Sequence, residues 1–219
     1  MLLVAATPIG NLDDHSPRLI EALRSADLIV AEDTRTTGQL MRLLGVDTRA
    51  VIMALHEHNE LDVTEKVLSE AARGQVVLVS DAGMPGLSAP GFPIVRAAHA
   101  KAIPVSVLPG PSAITAALAV SGMPTDRFCF EGFIPKKGRD EFFRQRAGER
   151  RTLVFFESPH RLHQSLLDMA SVFGGDRGAT VCRELSKKFE QVSSGTLDEL
   201  AELFSGDVKG EVTLVVRGE

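Results

Sequence analysis

Chemistry in this chain is concentrated where short apolar runs stop. Residues 2–6, 27–31, 76–79 and 105–108 are each too short for a helix and are bounded by turn residues, so they read as buried strands. At their carboxyl ends stand residues 7–11, 32–35, 80–85 and 109–112, rich in Gly, Pro, Ser and carboxylates. Loops of this kind along one sheet edge expose many backbone N–H and C=O groups. A cleft so lined can hold an adenosine-like ligand through main-chain hydrogen bonds. Ordinary loop chemistry is the plain alternative, although the loop 80–91 is longer than a strand-to-helix connection requires.

Two further stretches carry dense charge. Residues 136–151 hold seven basic side chains, Lys136, Lys137, Arg139, Arg144, Arg146, Arg150 and Arg151, against three acidic ones, Asp140, Glu141 and Glu149. In a chain of net charge −5 this local excess can contact phosphate, or it can be a solvated helix face. The run Arg183-Glu184-Leu185-Ser186-Lys187-Lys188 closes another apolar strand. Burying charge is costly, so that run is either surface or site. Phe133, Phe142 and Phe143 lie in or near the first run and could pack against nucleotides, with core packing expected of at least one. Trp and Tyr are absent, which leaves base stacking to Phe, His or Arg.

Several common sites are excluded. No G-x-G-x-x-G follows the first strand, and there is no Walker A sequence. Gly86-Leu87-Ser88-Ala89-Pro90 approaches a hydrolase nucleophile elbow, but Pro90 stands where Gly is required and no strand immediately precedes it. His56 and His58 have no third ligand at a telling spacing, so local hydrogen bonding is the better reading than metal.

Positioning these loops requires alternating strands and helices. Ser16 followed by Pro17 is an N-cap with proline at the first helical position, opening an amphipathic helix to Ser25. The pattern adds a strand over 51–55 and helices over 36–44, 62–73, 92–101 and 113–120, with Asp62 and Glu65 marking a helix start. Such alternation predicts a mostly parallel sheet. The turn Gly122-Met123-Pro124-Thr125-Asp126 divides the chain into α/β domains 1–120 and 121–219. In the second, strands are expected over 127–134, 152–156, 179–185 and 211–217, with an antiparallel partner over 188–194. Helices are expected over 139–147 and 159–173, and Thr196 with Glu199 forms a capping box.

Composition fits this class: 44% hydrophobic and 24% charged residues over 219 positions describe an ordinary globular protein. No apolar run approaches the ~20 residues of a membrane span, and no basic-flanked signal sequence is visible. Cys129 and Cys182 sit inside expected strands, consistent with a reducing, cytoplasmic setting and no disulfide framework.

Taken in order, ATPIGNLDD (6–14), AEDTR (31–35), LHEHNE (55–60), SDAG (80–83), LPGPSA (108–113), DRFCFEGFIP (126–135), FFESPHR (155–161), RELSKKFE (183–190) and KGEVTLVV (209–216) closely resemble the ribosomal RNA small subunit methyltransferase I family. That family belongs to the tetrapyrrole-methylase-like, class III methyltransferases. The resemblance runs from one end of the chain to the other, and its specificity lies in the ordered set. It implies a two-domain α/β fold with a mostly parallel N-terminal sheet and a mixed C-terminal sheet. It further implies S-adenosylmethionine in the cleft between the domains, and a homodimer. The reaction implied is methylation of a ribose 2′-hydroxyl on a cytidine in the decoding region of small-subunit rRNA.

Under this resemblance the cofactor contacts fall to Thr7, Pro8, Ile9 and Gly10, to Asp81, Ala82, Gly83 and Met84, and to Pro109, Gly110, Pro111, Ser112 and Ala113. RNA contacts fall to Arg35, Lys136, Lys137, Arg139 and Arg183. Methyl transfer from a sulfonium is an in-line displacement in which positioning supplies most of the gain. The attacked hydroxyl must also lose its proton, and a general base there is worth ~10²–10⁴-fold. Candidates are Glu184, Glu157 and Lys187, the last only with a lowered pKa. The reaction needs no metal. Met84 stands where the family usually has Thr and Ala89 where it has Asp, and many relatives carry a helical extension beyond the last strand. Two other readings stay open: a tetrapyrrole C-methyltransferase of the uroporphyrinogen or precorrin type, and a non-catalytic RNA- or ribosome-binding relative.

Overall fold

The computed structural model describes residues 1–56 and 59–219. Strands β1 (Leu2–Ala5), β2 (Leu28–Ala31), β3 (Val51–Ala54), β4 (Val76–Val79) and β5 (Val105–Leu108) form a sheet in the order β3-β2-β4-β1-β5. All of its pairings are parallel. Interior strands β2 and β4 are buried along their whole length, which is why LIVA and VVLV are apolar on both faces.

Helices α1 (Pro17–Ser25) and α2 (Thr34–Leu43) set Leu19, Leu23 and Met41 against Leu3, Ile29 and Val77 on one face. On the other, α3 (Glu60–Arg73) and α4 (Phe92–Ala100) set Val67, Leu68, Ile94 and Ala98 against Leu2, Val30 and Leu78. The chain leaves β2 toward the β3 edge and β4 toward the β5 edge. The loops after β2 and β4 therefore diverge, the switch point at which open α/β sheets hold ligands.

Local signals set most of these bounds. Ser16 Oγ accepts the Arg18 N–H at 3.3 Å and Pro17 opens α1. Helix α3 differs from expectation: it starts at Glu60, so Asp62 and Glu65 make no capping box. The Asn59 side chain instead accepts the His56 N–H at 2.8 Å and donates to the Ala54 carbonyl at 3.1 Å, a local turn that fixes the start two residues early. His58, weighed above with His56, lies outside the described residues.

The chain parts into compact units Met1–Ser112 and Ala113–Glu219. In the second, β6 (Phe128–Phe133), β7 (Thr152–Glu157), β8 (Gly178–Arg183), β9 (Gln191–Thr196) and β10 (Val212–Val216) form a sheet ordered β6-β7-β10-β8-β9. Only β6 and β7 pair in parallel, so the sheet is mixed. Helices α6 (Arg139–Arg144), α7 (Leu162–Phe173) and α8 (Leu197–Leu203) bury Phe143, Leu166, Met169 and Leu200 over Phe155, Val181 and Leu214. The Thr196–Glu199 capping box forms. Helix α6 stops at Arg144, because 3₁₀-type bonds from Arg146 to Phe143 and from Ala147 to Arg144 close the chain into turns.

The opposite face is covered by α5 (Ala113–Ser121). Thr180 Oγ1 donates to the Ser121 carbonyl at 2.9 Å, and the Cys182 thiol points to the Ala117 carbonyl at 4.0 Å. This packing ties α5 to the second sheet, so the units part at Ser112/Ala113 and not at 120/121. The turn at Gly122 is a connection inside the second unit.

Register sets one edge of this sheet apart. Val212 pairs with both Glu157 and Arg183, Arg183 pairs with Gln191, and Phe133 pairs with Phe156. The ends of β6, β7 and β8 and the starts of β9 and β10 therefore lie together.

Candidate functional site

In the first unit the loops after β1, β4 and β5 meet. Thr7, only 1% exposed, pairs its N–H and C=O with Gly83 at 2.9 and 3.1 Å. Its hydroxyl donates to the Ser80 carbonyl at 3.1 Å, and Ser80 Oγ donates to the Gly83 carbonyl at 3.2 Å. Thr7, Ser80 and Gly83 are therefore a rivet between two loops. Gly83 has φ +78°, and a Cβ there would lie 3.5 Å from Ile9 Cγ2 and 3.6 Å from the Pro111 carbonyl. At Gly110 a Cβ would sit 2.9 Å from that of Ala6, so only glycine lets the loop after β5 close on the end of β1. Among the described residues the N–H groups of Ile9, Gly10 and Gly110 have no hydrogen-bond partner. The sequence-predicted cofactor residues from Thr7 to Gly10, from Asp81 to Met84 and from Pro109 to Ser112 thus stand along one sheet edge. Ala113 belongs to the second unit.

Beside this rivet the loops after β2 and β4 are laced by carboxylates. Asp33 caps α2: its side chain accepts the Arg35 N–H at 2.7 Å and pairs with the Arg35 guanidinium at 2.8 Å. The hydrogen bonds from Arg35 hold the Asp33 carboxyl down to about 2. Arg35, its side chain 90% exposed, is thus folded back on its own helix cap. Asp81 Oδ1 accepts the Asp33 N–H at 3.0 Å, and the Asp81 N–H reaches Glu32 at 3.4 Å. Desolvation raises the Asp81 pKa, and the Asp33 charge adds to the rise. In the same loop Met84 is half-buried and its carbonyl accepts the Leu87 N–H at 3.4 Å, while Ala89 is half-buried beside left-handed Ser88 (φ 55°).

The second unit gathers basic residues on the edge defined by Phe133, Glu157, Arg183 and Gln191. The loop after β6 brings Lys136 and Lys137, both exposed and without an ion pair among the described residues. The β8–β9 hairpin brings Arg183, Lys187 and Lys188, and the segment before β10 brings Lys209.

Four of the run's five arginines pair with carboxylates of the same unit, while Arg150 is exposed and has no ion pair among the described residues. Arg139 pairs with Asp168 at 2.5 Å with its side chain 20% exposed, so it is not presented to a ligand. Arg146 pairs with Glu131 at 2.7 Å and lies 3.6 Å over the Phe142 ring. Arg144 pairs with Asp140 at 3.1 Å, and Arg151 pairs with Glu149 at 2.7 Å. Arg183 holds its own hairpin, bonding Gln191 at 3.0 Å and the Lys209 carbonyl at 2.9 Å. Of the aromatic candidates, Phe143 is fully buried, Phe142 is half-buried against Phe143 and Phe155, and Phe133 is 58% exposed with its ring 5.3 Å from Phe156.

The candidate bases sit in different surroundings. Glu157 is buried and saturated: it accepts the Ser158 N–H at 2.6 Å, the Ser165 hydroxyl, and the Arg161 guanidinium at 2.5 Å. Arg161 also donates to the Ile134 carbonyl at 3.1 Å, anchoring the loop that carries Lys136 and Lys137. Glu184 has φ 53° and accepts Lys187 Nζ at 2.8 Å and the Glu211 N–H at 2.9 Å through one oxygen. Its other oxygen has no hydrogen-bond partner among the described residues. The hydrogen bond from Lys187 holds its pKa below the ordinary value. For Lys187, burial opposes the charge, but hydrogen bonds to Glu184 and to Glu211 at 2.6 Å outweigh it, and the pKa is raised. The condition on which Lys187 could serve as base is therefore not met. Sequence reasoning missed the Asp33–Asp81 contact, which joins residues 48 apart in sequence, and Arg161, for which the i,i+4 spacing from Glu157 was the available signal.

Comparison with known proteins bears on the whole chain. The family model for tetrapyrrole (corrin/porphyrin) methylases matches residues 1–201. A protein of Xylella fastidiosa named ribosomal RNA small subunit methyltransferase I is 47% identical over 223 residues, covering 99% of this chain and 81% of that protein. A Pseudomonas aeruginosa protein of the same name is also 47% identical, covering 99% of this chain and 78% of its own length. Among solved structures, a diphthine synthase superposes with a TM-score of 0.74 at 17% identity, covering 99% of this chain and 90% of the other, which speaks to fold alone. The chain belongs to the tetrapyrrole methylase family and, within it, to the ribosomal RNA small subunit methyltransferase I family.

Proposed function

We propose that this protein methylates small-subunit ribosomal RNA from S-adenosylmethionine, at the ribose 2′-hydroxyl of a cytidine in the decoding region. The relatives' shared name supports the RNA substrate. The observation that carries the reading is the convergence of the exposed Lys136, Lys137 and Lys188, from separate segments, on one edge of the second sheet. A polyanion is bound chiefly by neutralising its phosphates, and such an edge does that.

The loops of the first unit fit the cofactor. The unpartnered N–H groups of Ile9, Gly10 and Gly110 are donors for the nucleoside part, and Asp81 is an acceptor for its hydroxyl or amino groups. When bound, S-adenosylmethionine supplies the methyl group. The chain's own part is to hold the hydroxyl in line and take its proton. We assign that acceptor role to Glu184, whose second oxygen is open, with Lys187 fixing its orientation. Glu157, saturated and buried, serves as the anchor of the Lys136–Lys137 loop.

Transfer of labelled methyl groups from S-adenosylmethionine to small ribosomal subunits from cells lacking the protein tests this reading. Label in the RNA supports it. Label in an added tetrapyrrole, with none in RNA, contradicts it.

A further inference from the structure

We propose that Phe189, with Lys188 beside it, is a stacking platform for an unpaired base of the RNA substrate. The inference rests on the RNA reading above and adds to it a residue outside the charged contacts. Most of the second unit's phenylalanines are committed to one another, Phe142 and Phe143 to Phe155, and Phe130 and Phe133 to Phe156. Phe189 is 66% exposed and meets no other ring among the described residues. Lys188 Nζ lies over the ring, 5.5 Å from its centroid.

The segment that carries it is held rather than loose. Glu184 and Ser186 both adopt left-handed backbone, at φ 53° and 67°, which residues with a Cβ rarely do unless their surroundings over-determine it. Arg183 bonds Gln191 and the Lys209 carbonyl, Lys187 bonds Glu184 and Glu211, and the Ser186 N–H bonds Glu190 at 2.6 Å. A large apolar ring on a braced hairpin loses little conformational freedom when it is covered.

The cover is identified by charge. The same sheet edge carries the exposed Lys136, Lys137 and Lys188, the setting of a polyanion. Every base offers a π-face, and aromatic side chains on basic surfaces hold unpaired bases by stacking. The chain has no Trp or Tyr to do so.

Binding to small ribosomal subunits, and to a short unstructured oligoribonucleotide, is compared for the parent chain, Phe189→Ala, Phe189→Leu and Phe189→Trp. Losing one stacked base weakens binding by about 5- to 150-fold. That loss is expected for both Ala and Leu, with the slope of affinity against salt unchanged because no charge is removed. Phe189→Trp should keep parental affinity. As the only tryptophan in the chain, its fluorescence should be quenched by the oligonucleotide. A Leu variant that binds as the parent does, or a Trp variant whose emission ignores RNA, overturns the stacking role. So does a Phe189→Ala variant that changes oligomeric state while keeping its affinity for RNA. If the parent chain binds no subunits at all, the RNA reading itself fails and takes this inference with it. If the parent binds and all variants bind equally, only the stacking role fails.

Discussion

Asp81 Oδ1 accepts the N–H of Asp33 at 3.0 Å, joining the loop after β4 to the cap of α2. The two carboxyls respond oppositely to this neighbourhood. Arg35 holds Asp33 down to about 2, whereas desolvation and the Asp33 charge push Asp81 up from its ordinary 3.8. Asp33 therefore stabilises the fold above the ordinary carboxylate range, and that contribution is lost as pH falls toward 2. Asp81 has the opposite sign: the folded state binds its proton more tightly, so its ionisation costs stability as pH rises past 3.8. Asp81→Asn keeps the acceptor and removes the charge. In thermal melts it should exceed the parent at pH 7 and match it near pH 3, while calorimetry shows S-adenosylmethionine binding weakened about tenfold or more. A variant less stable than the parent at pH 7 contradicts the sign.

Lys136 and Lys137 differ from Arg139 in a way that separates binding from stability. The lysines are exposed and unpaired among the described residues, while Arg139 is tied to Asp168 at 2.5 Å. Replacing both lysines with Ala should lower the magnitude of the salt slope for subunit binding by about 1.4–1.8, at about 0.7–0.9 per lost phosphate contact, without shifting the urea midpoint. Arg139→Ala should do the reverse. An unchanged slope in the double variant means these lysines are only a solvated face.

Glu157, buried, and Arg161, its side chain 23% exposed, form an ion pair whose one-sided removal leaves a poorly solvated charge without its partner. Urea unfolding of Glu157→Ala should show a loss of about 3–5 kcal/mol, and adding Arg161→Met should recover part of it. Methyl transfer by the surviving folded fraction should persist. Loss of turnover without loss of stability would make Glu157 the base instead of the anchor.

The Glu184–Lys187 pair defines a window. The Glu184 pKa is lowered from 4.5, so its contribution to stability is present above 4.5 and fades as pH falls below that value. The Lys187 pKa is raised from 10.5, so its contribution is present below 10.5 and fades above the raised value. Between these limits the lock is intact. Lys187→Arg should keep most activity because the cation is retained. Glu184→Gln should lower kcat by about 10²–10⁴-fold with little change in KM. If Lys187→Arg abolishes turnover while Glu184→Gln keeps it, the two roles are reversed.

Much of this architecture was legible because it is local. Pro17 with Ser16, the apolar tetrads of β2 and β4, and the Thr196–Glu199 box each declare their structure within a few residues. The boundary at Ser112/Ala113 was not, because α5 is Ala-rich on every side and only its partners in β8 and β10 show which sheet it serves. Charge was the least legible feature. Arg139, Arg146 and Arg183 look alike in a basic run, and only tertiary contacts with Asp168, Glu131 and Gln191 reveal that they are spent inside the fold. The pairing of Lys187 was hidden for the same reason, since its second carboxylate, Glu211, lies 24 residues away.

The account turns most directly on where the methyl group goes. Small subunits prepared from cells lacking the protein should be incubated with it and methyl-labelled S-adenosylmethionine, and the RNA digested to nucleosides. The account predicts label in 2′-O-methylcytidine, derived from a single decoding-region fragment. Label on a base, label in another RNA, or no label from folded protein that demonstrably binds S-adenosylmethionine would contradict it.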